Sequence, residues 1–322
     1  MGEHIMHTKK ANTFIPMMTE RSIVSVRRFL GQMCREVRIQ KASPPLIIFA
    51  IDLQHNMFVR SFDNRLALAP PNDPGAKVGR VLDCGTGSGI WAIEFAEDHP
   101  ESEVAHNLLQ VIGVDLSATV PAFTPPNVKF EVDDVEEPWI YSQKFDYIHS
   151  RMMTSSIGDW RTYLQRCYDN LNPGGYLELI EVDGTGYSTN DSLNKESATE
   201  RCLDLWRQAA EILGHPFQDI RLFKDIMLEI GFEDIHVREE KWPSNPWPKD
   251  PKYKELGAWN FENFSANIEG FIMAPLTRAL NWTKEECLVL AMEVRKEMRD
   301  PKVHYWMTIM SIYGRKPENK EE

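Results

Sequence analysis

Cysteine is scarce and scattered in this chain: five cysteines occur in 322 residues, and no two form a CxxC pair. Their odd number argues against a disulfide framework and a structural zinc site, and it favours a reducing compartment. No apolar run reaches the ~18 residues that a membrane span requires, and the amino terminus lacks the apolar stretch of a secretory signal. We therefore predict a cytoplasmic protein, with the nucleus as the alternative, that holds no metal and has no membrane partner.

Basic residues are also in the minority. The chain has 36 Lys and Arg against 48 Asp and Glu, for a net charge of −12. Such a balance repels phosphate backbones at long range, which disfavours nucleic acid as a partner. The length of 322 residues is sufficient for one large α/β domain with additions or for two small domains, and the hydrophobic fraction of 42% allows a sizeable core.

Short apolar segments alternate with amphipathic helical segments from residue 79 onward. Such alternation is typical of βαβ units and predicts a parallel sheet. The predicted strands are residues 80–84, 111–115, 129–132, 145–150, 176–182, 235–238 and 304–313. The predicted helices are residues 51–69, 90–97, 160–171, 217–230, 256–280 and 283–298. Residues 103–110 lengthen the connection before the second strand, and we expect a surface loop there.

A glycine-rich turn, DCGTGSG at residues 83–89, connects the first predicted strand to a helix. Glycine allows the backbone to turn sharply and to approach a ligand, and helix-start N–H groups can bind that ligand. The spacing is GxGxG, whereas dinucleotide folds use GxGxxG to seat a pyrophosphate. We predict that Asp83, Gly85, Thr86, Gly87 and Gly89 bind S-adenosylmethionine (SAM), because Asp83 suits an ammonium and repels a pyrophosphate. A nicotinamide or flavin cofactor, or a purely structural turn, are the alternatives.

Acidic residues end the next two predicted strands. Asp115, with Leu116 beside it, is expected to accept hydrogen bonds from both ribose hydroxyls, as the corresponding acid does in dinucleotide folds. A solvated acid at a strand end is the alternative. Asp134 is expected to accept from the adenine amino group, with the Val135 backbone beside it. Asp133 competes for that role, and a pair of loop acids without a ligand is the remaining interpretation.

The fourth predicted strand ends in His149-Ser150-Arg151. Ligands of open parallel sheets lie beyond the carboxyl ends of the strands, so His149 and Arg151 are expected to point towards the cofactor or the substrate entrance. His149 is our candidate catalytic residue, because it could take a proton from a hydroxyl during methylation. It could equally hold the loop by a structural hydrogen bond. Arg151 could hold a carboxylate of the cofactor or substrate, or pair with one of the many acids.

Taken together, these motifs resemble the LaeA-like SAM-dependent methyltransferases of fungal secondary metabolism. The core motifs that carry the resemblance are VLDCGTGSGIWAIEFA, VIGVDLS, VKFEVDDVEEPW, FDYIHSRMM and LNPGGYLELIEV. More specific to this family are IDLQHNMFV at 51–59, the Trp- and Pro-rich segment 242–260, LNWTKEE at 280–286 and YGRKP at 313–317. The resemblance covers roughly residues 51–317.

The resemblance implies a class I methyltransferase fold: a Rossmann-like α/β sheet of seven mostly parallel strands with helices on both faces. Its last strand, 304–313, should insert antiparallel. We expect residues 1–50 to be a poorly ordered extension and 51–322 to form the methyltransferase domain, with its core at about 78–240 and 303–317. Residues 241–302 should form a helical lid, in which Trp242, Trp247, Trp259 and Trp282 either line an apolar acceptor pocket or pack as ordinary core residues.

Two functions follow from the resemblance. The first is SAM-dependent methylation of a small secondary metabolite on oxygen, nitrogen or carbon, in which the protein positions both reactants and excludes water. The second is a LaeA-like nuclear regulator of metabolite gene expression that acts with regulatory protein partners. A nicotinamide-dependent oxidoreductase is a third hypothesis, which the glycine spacing disfavours.

Overall fold

The computed structural model describes residues 44–100, 103–104, 107–117 and 123–318. Most of the predicted extension, residues 1–43, lies outside the described residues. The first described helix, α1 (Pro44–Ser61), begins within the range that we assigned to the extension. It therefore continues across the expected boundary at residue 51.

Seven strands form one sheet: β1 Arg80–Cys84, β4 Gln110–Asp115, β5 Val128–Val132, β6 Phe145–Arg151, β7 Leu171–Ser188, β8 Glu233–Pro243 and β9 Tyr305–Arg315. Their order across the sheet is β5-β4-β1-β6-β7-β9-β8. Neighbours from β5 to β7 are parallel, whereas β9 is antiparallel to both β7 and β8. This confirms the predicted class I sheet with its reversed last strand. In the connection before β4, β2 (Glu103–Val104) and β3 (Asn107–Leu108) form a separate antiparallel pair where we expected a loop.

The remaining helices are α2 Ile90–Asp98, α3 Trp160–Asn170, α4 Ala198–Ile212, α5 Phe223–Ile230, α6 Pro251–Ala279 and α7 Lys284–Arg299. Side chains cap several of their first turns: Asp159, Ser197 and Asp250 accept from backbone N–H groups, and Thr283 begins a complete capping box. The α-helix predicted at 217–230 begins only at Phe223, after a 3₁₀ turn. None of the described helices combines the length and the apolar character needed to cross a membrane.

Apolar side chains on the two faces of the sheet pack against different helices. On one face, residues such as Leu82, Ile148 and Leu177 pack with α3 and α5. On the other face, Val81, Val111 and Tyr147 pack with α2. A separate apolar cluster joins α4, α6 and α7, while Trp242 of β8 packs on Phe58 of α1. The predicted lid segment is therefore helical and contacts α1.

A buried carboxylate attaches the segment after α1 to the middle of the sheet. Glu178 of β7 accepts hydrogen bonds from the backbone N–H groups of Leu68 and Ala69, each at 2.8 Å. It also accepts from the Tyr147 hydroxyl at 2.9 Å and from Ser311 Oγ at 2.8 Å. Four donors compensate the cost of burying this carboxyl group. They attach the segment that follows α1 to β6, β7 and β9.

Candidate active site

The glycine-rich turn lies at the carboxyl end of β1 and has a left-handed backbone. Gly85, Gly87 and Gly89 have φ values of 82°, 60° and 82°. The turn is fixed to β4, since the N–H groups of Gly85 and Thr86 both donate to the Val114 carbonyl. A Cβ at Gly89 would lie 2.4 Å from Phe130 Cζ, whereas one at Gly87 would meet only the Gly85 carbonyl oxygen at 3.9 Å. Side chains are thus excluded beneath the turn, and its Gly87 side is open.

Asp83 shapes this turn from within the protein. It is only 2% exposed. Its Oδ2 accepts from Thr86 Oγ1 at 2.6 Å, and its Oδ1 accepts from His149 Nδ1 at 2.8 Å. Both carboxylate oxygens are therefore bonded to side chains of the protein, one of them within the turn itself.

Asp115, at the end of β4, meets the middle of the turn. Its Oδ2 accepts from the Gly87 N–H at 3.1 Å, and its Oδ1 accepts from the N–H and the hydroxyl of Ser117 at 3.0 Å. The structure thus brings together the two motifs that sequence placed 26 residues apart, counted from Gly89 to Asp115. Leu116 follows directly and is half-buried at the same edge.

The residues after β5 have different exposures. Asp133 is exposed and accepts from the Asp134 N–H at 2.8 Å, while the half-buried Asp134 accepts from the Glu136 N–H at 3.0 Å. The Val135 side chain is 2% exposed and belongs to the core, and its carbonyl accepts from Arg166 Nη1 at 2.7 Å. Both carboxylates thus lie at the strand edge, whereas Val135 faces inward.

His149 lies beneath the turn, with none of its surface exposed. Its ring stacks on Trp91 with a centroid distance of 3.7 Å and an interplanar angle of 6°. Because Nδ1 faces Asp83, it carries the proton and donates it. The site predicted as catalytic is thus a buried carboxylate–imidazole pair on neighbouring strands β1 and β6.

Helix α1 covers one side of the turn. The Ser88 hydroxyl lies 3.5 Å from Asp52 Oδ1. His55 lies between two charged side chains: its Nε2 is 3.0 Å from Glu94 Oε2 of α2, and its Nδ1 is 3.2 Å from Arg151 Nη2 of β6. Burial lowers the pKa of His55. Sequence reasoning recognised this helix but did not identify His55, because its partners come from separate elements.

Two further polar groups near the end of β6 were missed at the sequence level. Both carboxylate oxygens of the buried Glu181 accept from the Met153 N–H at 2.9 Å, and burial raises the pKa of this carboxyl to about 8. His215 Nδ1 lies 3.7 Å from Glu136 Oε2, and burial lowers the pKa of this imidazole. No local spacing relates these residues, because each pairing depends on the sheet order.

The four lid tryptophans are not brought together in one pocket. Trp242 is 2% exposed, donates to Ser61 Oγ at 2.8 Å and packs on Phe58. Trp259 packs against the apolar cluster that contains Phe58 and Trp242, and Trp282 packs against the cluster that joins α4, α6 and α7. Trp247 stacks on His304. Trp242 is therefore a core residue. Core packing was the alternative that we considered for all four tryptophans.

The edge formed by the turn, Asp115 and the two acids after β5 fits SAM better than a dinucleotide. A ribose diol requires hydrogen-bond acceptors, which Asp115 provides, and the open Gly87 position allows close approach of a ligand. A pyrophosphate would meet several carboxylates at this edge, namely those of Asp115, Asp133 and Asp134. The cationic sulfonium and ammonium of SAM are attracted by the same charges.

Several known proteins are similar to this chain in sequence. The methyltransferase pytC of Aspergillus terreus is 36% identical over 83% of this chain and 80% of that protein. The secondary metabolism regulator LAE1 of Cochliobolus heterostrophus is 31% identical over 83% of this chain and 86% of that protein. Among solved structures, phosphoethanolamine N-methyltransferase 2 of Haemonchus contortus is 22% identical, with a TM-score of 0.46 over 76% of this chain and 50% of that chain. A family model described as a methyltransferase domain matches residues 53–237. The chain belongs to this methyltransferase family, and it is a SAM-dependent methyltransferase.

Proposed function

We propose that this protein methylates a small secondary metabolite at a site next to the glycine-rich turn. The observation that carries the proposal is the hydrogen bond from the Gly87 N–H to Asp115, which joins the glycine-rich turn to the carboxyl end of β4. The relative pytC, named as a methyltransferase, aligns over most of both chains, and this supports an enzymatic role. In our proposal the acceptor lies over the ends of β6 and β7, beside the turn.

When bound, SAM supplies an electrophilic methyl group on its sulfonium. The chain's own residues would bind and orient it: Asp115 would accept hydrogen bonds from the ribose hydroxyls, and Leu116 would pack beside the adenosine. Asp134, with Asp133 as the competitor, would accept from the adenine amino group. Gly85, Gly87 and Gly89 allow the backbone to approach the ligand closely, and Thr86 and Asp83 hold the turn in shape.

His149 acts in this proposal by positioning and not by direct proton transfer. Its ring lies between Trp91 and the Asp83 carboxylate, with its surface fully buried. A proton acceptor must come within hydrogen-bond reach of the substrate, which this packing opposes. The Asp83–His149 pair therefore maintains the shape of the turn from β1 and β6.

A second candidate is a regulator of secondary-metabolite gene expression that acts with protein partners, located in the nucleus. The relative LAE1, named as a secondary metabolism regulator, supports it through similarity over 83% of this chain. The small-molecule enzyme, located in the cytoplasm, remains our main proposal. The two candidates share the cofactor site and differ in the acceptor.

A binding experiment tests the cofactor site. Calorimetry should detect binding of S-adenosylhomocysteine, the demethylated product of SAM, and no binding of NAD. Gly87→Leu should abolish this binding, because the new side chain would project from the open side of the turn. Gly75→Ala is the matched control: its φ of 78° is also left-handed, a Cβ added there would meet nothing within 4 Å, and it lies outside the turn. Wild-type protein that binds neither SAM nor its product would overturn the proposal.

A labelling experiment separates the two candidates. The purified protein is incubated with methyl-tritiated SAM and an organic extract of cultures of the source organism. Label in the organic phase supports metabolite methylation. Label that appears only in protein, after addition of a protein extract, supports the regulator and contradicts the main proposal.

A further inference from the structure

Arg151 presents an unused donor at the cofactor edge. It is the last residue of β6, and its neighbour Ser150 pairs with Cys84, the residue before the first glycine of the turn. Its guanidinium carbon lies 4.8 Å from the centroid of the Phe58 ring, and Nη2 donates to His55 Nδ1 at 3.2 Å. Nη1 is buried, and none of the described residues accepts a hydrogen bond from it.

His55 fixes the orientation of this guanidinium. An arginine only donates, so His55 Nδ1 is the acceptor and Nε2 carries the ring proton, which it donates to Glu94 Oε2 at 3.0 Å. The imidazole is therefore neutral, in agreement with the lowering of its pKa by burial and by the Arg151 charge. Helices α1 and α2 together orient the donor at the end of β6.

The carboxylates around Arg151 leave Nη1 without an acceptor. Both oxygens of Asp83 are bonded to Thr86 and His149, and Glu94 accepts from His55. Burial lowers the pKa of Arg151 to about 10, so the group is still charged at neutral pH. A buried charged donor without a partner is costly, and a carboxylate from a ligand would remove that cost.

We propose that Arg151 binds the α-carboxylate of SAM through Nη1 and that His55 is the residue that positions it. The inference rests on the proposed function, because it requires the cofactor to lie at the glycine-rich turn. The turn begins beside the end of β6, and Ser88 of the turn lies against Asp52 on the same helix as His55. The amino-acid moiety of SAM would thus lie between the turn and α1.

Two nucleosides that differ in this moiety test the proposal. S-adenosylhomocysteine carries the carboxylate, whereas 5′-methylthioadenosine lacks the whole amino-acid part. Calorimetry of Arg151→Met should show affinity for S-adenosylhomocysteine reduced about 10- to 100-fold, with affinity for methylthioadenosine unchanged within about twofold. Unchanged methylthioadenosine binding also reports that the variant is folded.

Further variants keep the test decisive if Arg151→Met does not fold. Arg151→Lys keeps the charge with fewer donors and should show a smaller loss that is again confined to S-adenosylhomocysteine. His55→Leu should weaken S-adenosylhomocysteine binding in the same selective way, and His55→Asn, which keeps an acceptor near the Nδ1 position, should restore part of it. Arg60→Met, on the same helix but paired with Glu255, should change neither affinity.

Three results would overturn the inference. If the Arg151 variants bind S-adenosylhomocysteine as wild type does, Arg151 is not the carboxylate ligand, although the proposed function stands. If they lose both nucleosides equally, their effect is on the whole site and the assignment fails. If wild-type protein binds neither nucleoside, the proposed function fails together with the inference.

Discussion

Asp83 and His149 are partners on neighbouring strands, and the hydrogen bond between Nδ1 and Oδ1 compensates part of the cost of burying both side chains. The carboxylate has two donors, and the imidazole has a stacked indole and one acceptor. Polar groups buried in this way stabilise a fold when they are satisfied and destabilise it when one partner is removed. The pair should therefore affect cofactor affinity through the conformation of the turn.

His149→Ala should lower the free energy of unfolding by about 2–4 kcal/mol, because it leaves Asp83 short of a donor and removes the stack on Trp91. His149→Asn, whose amide can donate towards Asp83, should recover part of this loss. Urea unfolding and calorimetry with S-adenosylhomocysteine check both variants. Wild-type stability and affinity in His149→Ala would contradict the positioning role.

Glu181 predicts a pH dependence of stability. Its folded pKa of about 8 lies above the ordinary value of 4.5, so the folded protein favours the neutral carboxyl. The contribution of the neutral carboxyl to the free energy of unfolding is complete below pH 4.5 and is lost as the pH rises through 8. Glu181→Gln stays neutral, so its stability relative to wild type should increase as the pH rises from about 5 to about 8.5, by a few kcal/mol in total.

Chemical denaturation at several pH values measures this difference. Glu137→Gln is the control, because it removes one negative charge from an exposed position. Parallel stability curves for wild type and Glu181→Gln would show that the carboxyl is ionised in the folded protein, contrary to this prediction.

At the scale of elements, a network of charges attaches α1 to β8 and α6. The buried Glu240 accepts from Arg238 at 2.7 Å, from Lys252 at 3.3 Å and from the Tyr253 hydroxyl at 3.0 Å. Lys252 also donates to the backbone carbonyl of Ser61, the last residue of α1. These contacts connect the covering helix to the helical segment that follows β8.

Glu240→Gln should reduce the free energy of unfolding by about 1–3 kcal/mol, because the amide cannot accept equally from all three donors. Glu239→Gln is the matched control on the same strand, since Glu239 is exposed and takes part in none of the contacts described above. Thermal unfolding compares the two variants. Equal melting temperatures for the two would show that the network contributes nothing measurable.

Local patterns predicted much of the fold. The bounds of β1 match the prediction, β4, β5 and β6 differ from it by one residue at one end, and β9 starts one residue later and ends two residues later than predicted. Helix α4 was not predicted, although Ser197 caps its first turn, and the pair β2–β3 was expected to be a loop. The periodicity of apolar residues and the chemistry of turns are local signals that a sequence displays directly. The polar contacts of His55, Glu178 and His215 involve residues that only the sheet order brings together, so no local signal predicts them.

At the scale of the whole molecule, β9 joins β7 to β8. Deleting residues 303–322 should remove cooperative unfolding, because β8 hydrogen-bonds only to β9 within the described sheet and Glu178 would lose Ser311. Calorimetric unfolding and size-exclusion chromatography measure the effect. Deleting only residues 319–322 is the control. A truncated protein that still unfolds cooperatively at the wild-type temperature would contradict the prediction.

The position of β9 also orders events during protein synthesis. The ribosome makes β7 and β8 long before the strand that pairs with both, so their open edges persist on the nascent chain until β9 is added. Unpaired edges of this kind invite association with other chains. Yield in a heterologous host should therefore depend on chaperone supply and translation speed more than on the stability of the finished enzyme.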